Sequence, residues 1–228
     1  MPSKNKTKLS SKNSSLKYGQ VIFYPLVVLT FLLWALYRSL FVFPVWFDEV
    51  LGKAIFFGLP VWLYINVTEN KNILNSFSKD KIKPGLLLGV AVGGIYGFTS
   101  SITSLVARGG AVQSALLFSS NTFWWEFFLA MMTAFWETLF FYSFVMIALK
   151  QRYPRWSLLR HVILTSTIFL LFHLPNILLR FGGPMVVFQV GLLMAFAVGQ
   201  AFLFAKRENF YALVLSHAIW GMVLLVHF

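Results

Sequence analysis

The chain has 228 residues, of which 58% are hydrophobic and only 11% charged. Soluble domains carry about 25% charged residues, so a globular domain surrounded by water is excluded. There is no cysteine, which removes disulfides and thiolate ligands, and the formal net charge is +12. That charge does not point to nucleic acid. The basic residues fall in short connections between apolar stretches, without a nucleic-acid module or interleaved aromatics, so lipid headgroups are the expected partner and nucleic acid is not.

Residues 1–20 are polar, rich in Ser and Asn, and carry five lysines with no acid. They read as a disordered basic tail. The apolar run that follows is bulky and aromatic and lacks a small-residue cleavage site, which favours a retained first span over a signal peptide. From there the hydropathy predicts seven helical spans, at 21–37, 43–66, 84–105, 123–149, 158–179, 184–204 and 209–227. Stretches such as PLVVLTFLLWAL do not alternate as the strands of a membrane barrel would. The expected fold is therefore all-α, a polytopic transmembrane helical bundle. If the N-terminus is cytoplasmic, fifteen of the nineteen basic residues lie on the inside, in the tail and the connections 67–83, 150–160 and 205–209. The opposite connections carry Arg38, Arg108 and Arg180, as the positive-inside rule requires. An integral, multi-pass protein of the cytoplasmic membrane is expected, with its N-terminus in the cytoplasm.

At the start of the second span, Asp48 and Glu49 precede Lys53. The i, i+4 spacing of Glu49 and Lys53 suits a structural ion pair. The third span repeats a small residue every four positions, at Gly85, Gly89, Gly93 and Gly97, a face on which another helix can pack closely. A groove for substrate is the functional alternative there. The Thr99–Ser104 run offers hydroxyls, but no glycine-flanked nucleophile elbow accompanies them. Glu126 is expected at the outer boundary, and His161 and His227 near boundaries where water can reach them.

Glu137, His173 and His217 are different. Each is isolated among hydrocarbon neighbours in its own span, and an ionisable group at bilayer depth is costly and usually marks a site. Counting from Lys150, Arg160 and Arg207, the three lie 13, 13 and 10 residues into their helices, roughly 15–20 Å below the cytoplasmic loops. A shared site predicts such matched depth. One carboxylate and two imidazoles can activate water. No HExxH sequence is present, yet two His and one Glu from separate helices could also hold zinc. Pro175 and Asn176 follow His173 immediately; a proline inside a span frees a backbone carbonyl, and such irregularity at membrane depth lines a cavity or is buried. A proton relay in a small transporter is a further possibility, although no inverted pair of interrupted helices is evident.

The order WETLFFY at Glu137, FLLFH from Phe169 to His173, and HAIWG from His217 resembles the CPBP family, which contains the type II CAAX prenyl endopeptidases and bacteriocin-processing and immunity-associated membrane proteases. The family pattern is E-E-x-x-x-R, then F-x-x-x-H, then H-x-x-x-N. Resemblance makes 121–228 a CPBP-like catalytic helical core and leaves 21–120 as N-terminal transmembrane helices. It implies Glu137 as general base, His173 as its partner on the attacking water, and His217 in the oxyanion site. Any metal would take the same three residues, with zinc the natural candidate. The implied substrates are peptides or lipidated protein C-termini cleaved near the cytoplasmic face, in a prokaryotic plasma membrane. Thr138 stands for the second Glu, Tyr142 for the Arg and Gly221 for the Asn. Tyr142 or Asn176 would then have to support the substrate or oxyanion, with Phe169 beside His173. A relative that kept the fold but lost catalysis, as a membrane scaffold or immunity protein, is the alternative.

Overall fold

The computed structural model describes the backbone of residues 4–108 and 122–227, and the side chains of 21–103 and 122–222. His227 and Ser104 therefore lie outside the described side chains, and the domain boundary at 121 lies outside the described backbone. Among the described residues there are seven long helices and no strand: α1 Lys4–Leu40, α2 Phe47–Thr68, α3 Ile82–Arg108, α4 Phe123–Arg152, α5 Leu158–Arg180, α6 Pro184–Arg207 and α7 Phe210–His227. Six spans are long and apolar enough to cross a membrane, the third of them including the 3-10 turn Lys71–Phe77 before α3. The final helix, α7, is apolar over Phe210–Met222 and packs against α3 and α4. This is a polytopic helical bundle, as hydropathy predicts.

Helix α4 is the centre. In its most apolar window 72% of residues are buried, against at most 33% in the other spans. A helix that is apolar all round belongs in an interior, and Phe140, Phe141, Tyr142, Phe144, Val145 and Met146 are all fully enclosed. Its middle is not regular. The nine residues Thr138–Met146, directly after Glu137, are π-helical. Helix α2 also widens to π geometry on both sides of Lys53, over Phe47–Gly52 and Ala54–Gly58. Such wide turns concentrate at functional sites, and here they flank two ionisable residues.

The glycine face of α3 does what small residues in a membrane do. A Cβ added at Gly89 would lie 2.9 Å from the Leu215 side chain and 3.0 Å from the Ala212 carbonyl. At Gly93 it would meet Ile219 at 2.7 Å and the Ser216 backbone at 3.1 Å. Both positions are filled by α7, so this face packs helices and leaves no groove. The hydroxyls of Thr99 and Thr103 donate back to carbonyls of α3 itself. Next to Gly85 lies Asn209, which caps α7 by accepting from the Ala212 amide (3.1 Å) and donates to the Lys81 carbonyl (2.8 Å).

The stretch 4–20 is helical backbone continuous with α1. Once a span has nucleated a helix, each further turn adds hydrogen bonds without a new nucleation cost. One expectation needs correction. His161, expected at a solvated boundary, is buried; its Nδ1 donates to the Ser157 carbonyl at 3.1 Å one turn back.

The glycine contacts make a sharp contrast. Gly93→Leu should unseat α3 from α7, costing about 1–3 kcal/mol or more as overpacking does. Gly94→Leu should leave stability unchanged, because no atom lies within 4 Å of a Cβ there. Thermal unfolding of the two variants in detergent checks the difference.

Candidate active site

The structure brings Glu137, His173 and His217 together from α4, α5 and α7. One carboxylate oxygen of Glu137, Oε2, lies 3.4 Å from Nε2 of His173 and 3.5 Å from Nε2 of His217. That oxygen is buried without a hydrogen-bond partner. Buried polar atoms are almost always paired, so an open acceptor facing two imidazoles is a poised arrangement. The other oxygen, Oε1, accepts from the Lys53 ammonium at 2.6 Å.

Lys53 is the contact of Glu137 that sequence reasoning assigns elsewhere. Its i, i+4 pair with Glu49 exists, at 2.5 Å. The same ammonium also reaches across to α4, and Glu49 is itself held by the Thr133 hydroxyl. The local spacing accounted for Lys53 completely, and only the approach of α2 to α4 reveals its second partner. The one available signal was Lys53 itself, a cation inside a span.

His173 is oriented by its own helix. Its Nδ1 donates to the Phe169 carbonyl at 2.8 Å, and its ring stacks on the Phe169 ring with centroids 4.2 Å apart. The four-residue spacing of Phe and His is therefore a positioning device: backbone carbonyl and ring come from one residue. With the proton on Nδ1, the neutral ring presents Nε2 as a bare acceptor. Phe169 also lies edge-on to His217, and Phe196 of α6 packs on the same imidazole at 4.9 Å while stacking on Trp220. Aromatic walls thus separate the acid–base group from lipid.

The supporting residues divide. Tyr142 is fully enclosed beside Phe169, its hydroxyl lacks a hydrogen-bond partner, and it interacts electrostatically with Glu137 and Tyr96. Asn176, expected near the oxyanion, is engaged elsewhere: its side-chain oxygen accepts from Arg38 at 2.7 Å. Arg38 in turn pairs with Asp48, which also accepts from the Tyr37 hydroxyl. This second polar cluster ties α1, α2 and α5 where α5, with Pro175 inside it, meets α1. There Trp34 donates to the Phe172 carbonyl at 3.0 Å. Glu126 stays apart from the site, bonded to Thr122 at its helix start.

Two imidazoles and one carboxylate are donors that zinc accepts. Here, though, no group of three such side chains among the described residues is arranged to hold a metal ion. The Lys53 ammonium engages Oε1 of the carboxylate that would be the ligand and leaves Oε2 facing the two imidazoles.

Residues 119–223 match the family described as type II CAAX prenyl endopeptidase Rce1-like. This match supports the resemblance of the region to the CPBP family. The matched segment contains Glu137, His173 and His217 and excludes Lys53 and Glu49. That likeness suggests a CAAX-type intramembrane protease. No curated protein and no solved structure matches the chain. In the CPBP pattern an Asn follows the last His by four; here that position is Gly221, where an added Cβ would meet nothing closer than Ala130 at 4.0 Å.

The orientation of His173 has a direct spectroscopic consequence. Nitrogen-15 spectra of the neutral ring should show the proton on Nδ1 and a bare Nε2; the opposite tautomer would contradict the Phe169 hydrogen bond.

Proposed function

We propose that this protein is an intramembrane endopeptidase that cleaves peptides or lipidated protein C-termini near the cytoplasmic membrane face with water activated by Glu137 and His173. The observation that carries the proposal is the open Glu137 Oε2, enclosed by protein and facing two imidazole nitrogens from two other helices. A water there donates one hydrogen to Oε2 and the other to the bare Nε2 of His173. Its oxygen attacks the scissile carbonyl while its proton passes to Glu137. His217 donates an N–H to the oxyanion so formed. Collapse of the tetrahedral intermediate breaks the C–N bond, and the proton held by Glu137 goes to the leaving amine. Because Lys53 engages Oε1, it is Oε2 that is left for water.

The test is cleavage of a quenched fluorescent peptide ending in a prenylated cysteine motif, and of its unprenylated counterpart, by the protein in liposomes. Glu137→Gln and His173→Ala should each lower kcat by roughly 10²–10⁴-fold, and His217→Ala by roughly 10²–10³-fold. Asn176→Ala should stay near the wild-type rate, since its amide is bound to Arg38. At Gly221 an added Cβ meets no atom closer than 4.0 Å, and Gly221→Asn should raise kcat by supplying an oxyanion donor. Undiminished cleavage by Glu137→Gln, or no cleavage of any probe by the wild type, would instead favour a scaffold or immunity protein that kept the fold.

A further inference from the structure

The Lys53 ammonium touches two carboxylates, Glu137 at 2.6 Å and Glu49 at 2.5 Å. All three are poorly accessible, with side-chain exposures of 8% for Lys53 and 3% for Glu137, rising to 26% for Glu49. A buried ion is strongly destabilising once its partner loses charge. A catalytic base that takes up a proton does lose its charge, so a simple Lys53–Glu137 pair would resist the reaction it sits beside. Resting on the peptidase reading above, we propose that Glu49 is a positioning residue acting through Lys53. It keeps the ammonium paired while Glu137 passes through its neutral form.

The three-group arrangement is suited to this. Thr133 of α4 donates to the same Glu49 oxygen that accepts from Lys53, which anchors Glu49 against the helix that carries the base. Lys53 stands between two π-helical segments of α2. Glu49 and Glu137 thus flank one cation, and the cation needs only one of them charged at a time. In this chain Tyr142 occupies the position of the arginine in the CPBP pattern, and α2 supplies a cation to Glu137 from outside the matched region.

A substitution cycle in thermal unfolding tests the sharing of Lys53 without any substrate. Glu49→Gln and Glu137→Gln should each lower Tm by no more than about 4 °C, because the other carboxylate still holds Lys53. Together they should lower it by well over the sum, and adding Lys53→Met to the double variant should recover most of the loss. An additive double variant, or no recovery with Lys53→Met, would overturn the proposal. With the peptide probes, Glu49→Gln should lower kcat roughly tenfold with KM within about twofold, and Glu49→Asp should recover part of it. An unchanged kcat in Glu49→Gln beside an active wild type sinks the positioning role and leaves the peptidase reading standing. A wild type that cleaves nothing sinks both that reading and the positioning role, while the unfolding cycle still decides whether Lys53 is shared.

Discussion

A carboxylate has been placed inside the most enclosed helix of a membrane bundle, and the remaining architecture answers that fact. Glu137 cannot be solvated by lipid or by the phenylalanines around it. Its charge is met by an ammonium carried on α2, and a buried charge left with no partner at all typically costs about 3–5 kcal/mol. The pair therefore sets how α2 and α4 may rotate against each other. Glu49, Thr133 and the wide turns around Lys53 all serve that setting. The two histidines then approach the oxygen that the ammonium leaves free.

What encloses the acid–base group is aromatic rather than aliphatic. Phe169 and Phe196 meet the imidazoles through their faces and edges, and Phe141 and Tyr142 close the side toward α4. Rigid rings hold the histidines with few rotatable bonds. Aromatic packing also shields the two imidazoles. The second polar cluster, built on Arg38, Asp48 and Asn176, fixes α1, α2 and α5 independently, so the helix that carries His173 is tied at two levels.

Much of this was legible from residue types alone. An isolated Glu and two isolated His in apolar spans could only be tolerated with partners, and matched depth from the basic loops brought them to one level. The glycine ladder announced a helix contact because small residues every fourth position make one continuous face. Lys53 was hidden by sufficiency: an acid four residues away explained it, and no spacing within one helix reports a partner on another. The hydrogen bond from Arg38 to Asn176 was hidden for a related reason, since the two lie far apart in sequence. His161 was assigned to water by its position near a span end, whereas α5 turns it inward. The wide turn of α4 left no trace, because Thr138–Met146 contains neither proline nor glycine.

The wide stretch after Glu137 has a consequence for evolution and comparison. A π-helical segment accommodates more residues per turn than its α-helical equivalent, which is how an inserted residue is absorbed without breaking the helix. Relatives whose corresponding helix is regular should therefore align with this chain only if a gap is opened between Glu137 and Lys150. A deletion within Thr138–Met146 would rephase the two ends of α4, turning the Lys150 end relative to the acid while leaving composition and hydropathy almost untouched.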